Sequence, residues 1–182
     1  LPNIRVYAPC DATETVAITG LLVKEKGPAY FRLDKSKVTL DVPPEFVAEK
    51  LRCLRPGTDV SIVGYGGILA EALQAATTLA GMGIECGVYS AHTLKPFDSA
   101  TLCQLAETVP MLVTLEEHVQ TGGLASLVSQ ELVNARLMPK FWSQIALPDS
   151  YSSIVGSQEY LRTRLGVDAA AIVARVSSQF KR

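Results

Sequence analysis

The feature that most constrains the fold is an alternation between short apolar runs and stretches with helical spacing. Residues 68–79 show the helical pattern clearly, because their apolar side chains fall on one stripe. Strands that are separated by helices pair in parallel, through right-handed crossover connections. The sequence therefore predicts an α/β fold, a three-layer α/β/α sandwich with a mostly parallel sheet, over residues 46–182. Its predicted strands are 59–64, 84–89, 111–115 and 142–147, and its predicted helices are 68–79, 99–108, 123–136, 158–164 and 169–177.

A smaller unit precedes this sandwich. Residues 4–8 form a predicted strand, and Asp11 and Glu14 follow it with the spacing of a capping box. A capping box predicts a helix, which we expect to end near Gly27. Residues 28–33 form a second predicted strand. The result is a partial strand-helix-strand unit that needs neighbours to bury it.

A change of composition separates the two units. Residues 34–45 are polar and rich in proline, which is typical of a linker between domains. We therefore predict a domain fragment with its linker at 1–45 and a second domain at 46–182. Because the chain opens at Leu1 inside the smaller unit, we expect it to be part of a longer polypeptide.

Composition excludes several classes of protein. Hydrophobic residues make up 48% of the chain and charged residues 19%, which indicates a packed core rather than disorder. The net charge of -1 gives no reason to expect nucleic acid or an anionic membrane as a partner. No apolar stretch could span a bilayer, and no signal peptide is visible. The four cysteines lack a CxxC pair, which argues against a zinc site or disulfide framework and predicts a cytoplasmic protein.

Two polar or glycine-rich segments follow predicted strands. Residues 64–67 read Gly-Tyr-Gly-Gly, at a position where open parallel sheets often bind ligands. The phosphate-binding fingerprints are absent there, which favours a tight turn. Glu116, Glu117 and His118 form the second segment, which Gly122 and Gly123 follow.

The second segment has two possible roles. A histidine with adjacent carboxylates can act as an acid, a base or a metal ligand. Adjacent residues on a strand point to opposite faces, so Glu117 and His118 need not share a site. We favour a structural role for both and retain them as secondary site candidates. No catalytic residue and no metal ligand is predicted from the sequence.

The order of several segments resembles the transketolase family. LPNIRVYAPCDATETVAI and GPAYFRLDKSKV resemble the end of its pyrimidine-binding domain. GTDVSIVGYGGILAEALQAATTLAGMGIECGVYSAHTLKPFD, VTLEEHVQTGGLAS and LPDSYSSIVGSQEYLRTRLGVDAAAIVARV resemble its C-terminal domain. The likeness covers nearly the whole chain and is strongest to the second subunit of transketolase-like enzymes that are split into two subunits. Deoxyxylulose-phosphate synthases and 2-oxo-acid dehydrogenase beta subunits share the architecture and resemble it less closely.

This resemblance implies a function for the whole enzyme and a division of labour within it. The enzyme would transfer a two-carbon ketol unit between sugar phosphates with thiamine diphosphate and magnesium. A GDG-type motif that holds the diphosphate and magnesium, and a glutamate that activates the cofactor, both belong to parts absent from this sequence. The resemblance therefore predicts that the chain is inactive alone. It also predicts an N-terminal cofactor-binding domain or subunit as partner, in a homodimer or heterotetramer.

The resemblance also assigns two substrate-binding residues. Asp11 matches an aspartate that contacts substrate hydroxyls, and Arg32 matches an arginine that binds the sugar phosphate. A carboxylate can accept hydrogen bonds from hydroxyls, and a guanidinium pairs with phosphate in a bidentate fork. Asp11 could instead only cap its helix, and Arg32 could form a surface salt bridge. The alternatives for the chain as a whole are a non-catalytic interaction or dimerisation module, or part of a deoxyxylulose-phosphate synthase or of a 2-oxo-acid dehydrogenase beta subunit.

Overall fold

The computed structural model describes residues 1–35, 38, 40, 42 and 45–180, which form two sheets flanked by helices. The strands are β1 (Arg5–Tyr7), β2 (Ala29–Phe31), β3 (Arg52–Arg55), β4 (Val60–Gly64), β5 (Cys86–Ser90), β6 (Thr93–Lys95), β7 (Met111–Val119) and β8 (Phe141–Leu147). The helices are α1 (Ala12–Lys24), α2 (Leu69–Ala80), α3 (Ser99–Thr108), α4 (Leu124–Ala135), α5 (Gln158–Leu165) and α6 (Ala169–Phe180). Within the described ranges, no helix is long and apolar enough to cross a membrane.

The larger sheet has the strand order β3-β5-β4-β7-β8. All neighbours in it are parallel except β3, which pairs antiparallel with β5. Every residue of β4 is buried, as expected for a parallel strand that is covered on both faces. Helices α2 and α6 pack on one face, and α3 and α4 pack on the other. The predicted three-layer α/β/α sandwich is confirmed.

Neighbouring residues on the central strands serve opposite layers, because side chains alternate across a sheet. Ile62 and Val113 join the cluster with α2 and α6, whereas Val63 and Leu112 join the cluster with α3 and α4. The alternation determines which side chains of each strand contact α2 and α6 and which contact α3 and α4. It also fixes which residues emerge at the carboxyl ends of β4 and β7.

The smaller sheet joins the two predicted units. Strand β1 pairs in parallel with β2 and antiparallel with β6, which belongs to the predicted second domain. Strands from both sides of the predicted boundary at 45/46 therefore pair in one sheet. The division into two domains at that point stays a prediction. The linker residues Ser36, Lys37, Thr39, Asp41, Pro43 and Pro44 lie outside the described residues.

Three details differ from the sequence-based expectations. Strands β3 and β6 were not predicted, since each has only three or four residues of mixed polarity. Strand β7 continues to Val119, through the polar residues that follow its apolar start. Helix α1 ends at Lys24 with Glu25 as its cap, and Gly27 takes its positive φ of 117° beyond the helix.

Candidate functional site

A cavity of about 500 Å³ lies between the smaller sheet and the carboxyl ends of β4 and β7. The carboxyl ends of parallel strands are where open α/β sheets bind ligands. Both units contribute to its walls, which are lined by Val6, Tyr7, Ala8, Tyr30, Arg32, Tyr65, Leu94, Glu117, His118, Gly122, Gly123, Leu124 and Leu127. Three of the four predicted site residues, Arg32, Glu117 and His118, are thus brought to one cavity.

Arg32 lies just after β2 and is exposed. Its Nη2 donates a hydrogen bond to the main-chain carbonyl of Glu117, over 3.3 Å. Its guanidinium carbon lies 5.4 Å from the centre of the Tyr65 ring, within the range of a cation–π contact. Among the described residues no carboxylate forms a salt bridge with Arg32, so its charge can meet an external anion.

Glu117 points its carboxylate at α5 rather than leaving it free for chemistry. Arg162 donates from Nε and Nη2 to the two carboxylate oxygens, over 2.8 and 2.9 Å. Gln158 lies 3.3 and 3.4 Å from the same oxygens. Arg162 also lies 3.5 Å from Glu71. These contacts hold the Glu117 side chain in place and compensate its charge beside Arg32.

His118 exposes its ring at the cavity wall. Its Nδ1 lies 2.9 Å from the carbonyl oxygen of Val119. A carbonyl only accepts, so Nδ1 carries the proton in this contact. In the neutral ring Nε2 is then an acceptor, which suits a hydrogen bond from a hydroxyl group.

Glu116, the preceding residue on β7, is fully buried and caps α4. The main-chain N–H groups of Leu124 and Ala125 donate to its two oxygens, over 2.7 and 3.0 Å. The Tyr65 hydroxyl lies 3.4 Å from Glu116 Oε2. A side chain added at Gly123 would collide with this carboxylate and displace it from the start of α4. The anion-binding N-terminus of α4 is therefore already occupied by a side chain of the protein.

Asp11 lies in a different environment from the other three predicted residues. Its Oδ1 accepts from the N–H of Glu14 over 2.8 Å and so caps α1, as the capping box predicts. Its Oδ2 lies 3.1 Å from Nη1 of Arg52 on β3. Its side chain is 3% exposed, and it is not among the residues that line the cavity. All its described contacts are internal, and its predicted contact with substrate hydroxyls stays a prediction.

Glu14 completes this buried cluster between the two units. It accepts from the N–H of Cys10 over 2.7 Å, from Ser90 Oγ over 3.1 Å and from Arg52 over 3.2 Å. Cys10, Asp11 and Glu14 lie close enough together to hold a metal ion. The Arg52 guanidinium already compensates both carboxylates, and burial raises the pKa of the Cys10 thiol, which disfavours a thiolate ligand. The cluster therefore does not fit the magnesium ion of a thiamine enzyme.

His92 is fully buried beside this cluster and stacks on Phe46 at 4.6 Å between ring centres. Burial lowers its pKa, and the positive charge of Arg52 lowers it further, against the opposing effect of Glu14. The folded protein therefore resists protonation of His92, whereas the unfolded chain takes up the proton near pH 6.5. Stability from this group is fully present above that pH and is lost as the pH falls below it.

His92→Asn should remove this pH dependence. Asparagine does not titrate, so we expect the variant to lose less stability than the wild type between about pH 7.5 and 5. The measurement is the free energy of unfolding of both proteins, from urea titrations at the two pH values. An equal loss in both would contradict a role for His92 in the acid sensitivity.

Comparison with known proteins agrees with the fold. Residues 49–172 match the family model of the transketolase C-terminal domain. Over 175 residues the chain is 34% identical to the 6-deoxy-6-sulfo-D-fructose transketolase subunit SqwH of Clostridium sp. (strain MSTE9), an alignment that covers 95% of this chain and 53% of that subunit. Over 189 residues it is 30% identical to the 1-deoxy-D-xylulose-5-phosphate synthase of Desulforudis audaxviator, which covers 98% of this chain and 29% of the synthase.

A solved structure of a split-gene transketolase, an inactive beta4 tetramer, matches with a TM-score of 0.89 at 33% identity. The match covers 100% of this chain and 59% of that one. The strand order and helix layers thus define an α/β domain of the transketolase C-terminal type. The chain belongs to the transketolase family, as its segments predicted, and it spans about half the length of the split subunits that it resembles.

Sequence reasoning missed several residues that shape the site. Tyr65 was interpreted only as part of a turn, and Arg52 and Arg162 had no role assigned. Tyr65 carried one usable signal, since it is a large aromatic residue directly after a buried strand. The two arginines pair with residues 38 to 91 positions away, and no local pattern reveals such pairs.

Proposed function

We propose that this chain is the C-terminal part of a thiamine-diphosphate-dependent transketolase-like transferase and that it supplies the phosphate end of the sugar-binding site. The parent enzyme would move a two-carbon ketol unit between sugar phosphates. The observation that carries the proposal is the Arg32 guanidinium, which stands over Tyr65 at the cavity without a carboxylate partner among the described residues. A guanidinium binds a phosphate group through two parallel, charge-assisted hydrogen bonds.

The surroundings of Arg32 favour pairing with the anionic group of a ligand over pairing with a carboxylate of the protein. Glu117, whose main-chain carbonyl accepts from Arg32, has its carboxylate paired with Arg162 in a bidentate contact. His118 lines the same cavity, and the Nε2 atom of its neutral ring can accept a hydrogen bond. We therefore propose that the cavity binds a phosphorylated sugar, with its phosphate at Arg32 and a hydroxyl group at His118.

The cofactor would bind in another part of the enzyme. Thiamine diphosphate supplies the carbanion chemistry when bound, and the protein's role is to bind and orient the substrate against it. The described residues do not form a metal site that fits its magnesium. We propose that an N-terminal domain or partner subunit carries both, that the assembly is a homodimer or heterotetramer, and that this chain is inactive alone.

Arg32→Ala, made in the complete enzyme, tests the phosphate assignment. The variant should raise KM for a ketose phosphate by about 10- to 100-fold, because charge-assisted hydrogen bonds to the phosphate are lost. KM for the corresponding free ketose should change by less than about threefold, since that substrate has no phosphate to lose. The measurement is steady-state kinetics with both substrates.

Arg32→Lys is the matched control for this experiment. It keeps the positive charge and loses the planar fork, so its KM for the ketose phosphate should lie between those of the wild type and Arg32→Ala. A similar rise of KM for both substrates in Arg32→Ala would show that Arg32 does not recognise phosphate.

A synthase is the second candidate, because the chain is also similar over nearly its whole length to a 1-deoxy-D-xylulose-5-phosphate synthase. Product analysis separates the two reactions when the complete enzyme receives an aldose phosphate as acceptor, with pyruvate and a ketose phosphate as the two competing donors. Release of carbon dioxide from pyruvate would favour the synthase, and transfer of a two-carbon unit from the ketose would favour the transketolase.

If the native protein has this length and no companion co-purifies with it, the non-catalytic module would be the better interpretation.

A further inference from the structure

Tyr65 occupies a fixed position at the end of β4. It follows Gly64, where an added side chain would come within 2.7 Å of the Leu115 carbonyl and 2.9 Å of Leu69. It precedes Gly66, whose φ of 78° favours glycine. The turn between β4 and α2 therefore allows little movement of the Tyr65 backbone, and the residue is 5% exposed.

The hydroxyl end of Tyr65 is fixed as well. It lies 3.4 Å from Glu116 Oε2, and Glu116 is itself held by the N–H groups of Leu124 and Ala125. Burial and the nearby Glu116 carboxylate raise the pKa of Tyr65 to about 12, so the hydroxyl keeps its proton and donates at neutral pH. The ring is thus held at both ends by elements of the C-terminal domain.

The face of this fixed ring supports Arg32, which comes from the other unit. The guanidinium carbon lies 5.4 Å from the ring centre, and Nη2 is directed to the Glu117 carbonyl. Two contacts on different atoms limit the rotation of an otherwise exposed side chain. Without them Arg32 would have to be ordered each time a ligand binds, which weakens binding.

We propose that Tyr65 is a positioning residue, through which the C-terminal domain orients Arg32 for the phosphate group of the substrate. This inference rests on the proposed function, since it assumes that Arg32 binds phosphate. It gives the C-terminal domain a part in substrate recognition. Successive contacts connect the two units: the N-terminus of α4 holds Glu116, Glu116 accepts from the Tyr65 hydroxyl, and the Tyr65 ring faces Arg32.

Tyr65→Met and Tyr65→Phe in the complete enzyme provide the matched pair. Methionine is a somewhat smaller apolar side chain without an aromatic face, whereas phenylalanine keeps the face and loses the hydroxyl. We expect Tyr65→Met to raise KM for the ketose phosphate, and Ki for competing inorganic phosphate, by about 5- to 20-fold with little change of kcat. For Tyr65→Phe both values should stay within about threefold of the wild type.

A double-mutant cycle with Arg32 separates positioning from a merely structural effect. If Tyr65 acts through Arg32, Tyr65→Met should add nothing to the KM for ketose phosphate once Arg32 is alanine. The same rise in both backgrounds, or equal rises for phosphorylated and free ketose, would overturn the inference. A loss of phosphate selectivity in Tyr65→Phe as large as in Arg32→Ala would also overturn it, because the aromatic face is still present.

The same experiment distinguishes the two proposals. If Arg32→Ala raises KM for the ketose phosphate but not for the free ketose, and Tyr65→Met shows no such difference, only the positioning role of Tyr65 fails. If Arg32→Ala raises KM equally for the phosphorylated and the free ketose, the proposed function itself fails. Should Tyr65→Met not fold, Tyr65→Leu gives a second variant without an aromatic face, and the outcomes expected for Tyr65→Phe apply unchanged.

Discussion

Arg52→Met should lower the free energy of unfolding by about 3–5 kcal/mol, the range for removing one partner of a buried ion pair. Arg52 lies 3.1 Å from Asp11 and 3.2 Å from Glu14, and the three side chains are at most 4% exposed. Methionine fills much of the space and leaves two buried carboxylates without their cation. The cost of that uncompensated charge is the main expected effect, and urea unfolding of the full protein measures it.

Arg55→Met is the control for this prediction. Arg55 lies on the same strand, and its described side-chain hydrogen bond goes to the exposed Thr77 hydroxyl, over 3.3 Å. Its loss should cost less than about 1 kcal/mol, as is usual for surface contacts. Equal losses for the two variants would contradict the argument from buried charge.

A combined variant tests the cause of the loss. Adding Asp11→Asn and Glu14→Gln to Arg52→Met removes the uncompensated charges, and asparagine still caps a helix. Part of the lost stability should therefore return. If none returns, the loss comes from packing around Arg52 rather than from charge.

The Arg52 cluster also bears on the function. Asp11 and Glu14 belong to the smaller unit, and Arg52 and Ser90 belong to the larger sheet. The candidate cavity has walls from both units, with Arg32 on one and His118 on the other. Contacts that fix the two units against each other therefore fix the distance across the cavity.

Local sequence patterns predicted the elements well because those patterns have a direct physical cause. The apolar stripe of residues 68–79 must face a sheet, and the buried runs at 59–64 and 111–115 suit strands that are covered on both sides. The structure has a helix or strand at each of these positions. Strands β3 and β6 have no such pattern, because their pairing partners rather than their own residues stabilise them.

The candidate site was predictable only in part, because its residues meet through topology. The sequence singled out Arg32, Glu117 and His118, and the structure brings all three to one cavity. It could not show that Arg162 neutralises Glu117, since the two are 45 positions apart. The aspartate of the capping box was found from its spacing, whereas its pairing with Arg52 depends on how the two units meet.

Glu116→Ala is the second substitution for which we expect a large effect. Helix α4 has Gly123 at its N-cap, which offers no side-chain acceptor, and Glu116 takes that role through Leu124 and Ala125. Alanine would leave both buried N–H groups without an acceptor, and the Tyr65 hydroxyl would lose its described partner. We expect a loss of about 2–4 kcal/mol in the free energy of unfolding.

Glu116→Gln separates the effect of the negative charge from that of the size of the side chain. Glutamine has nearly the same volume and one carbonyl oxygen, so it can accept from one of the two N–H groups, and its neutral acceptor is weaker. The loss should be about half of that for alanine, and amide hydrogen exchange should become faster at Leu124 and Ala125 before it does elsewhere in α4. Equal losses for Gln and Ala, or unchanged exchange at the two amides, would show that the helix start does not depend on Glu116.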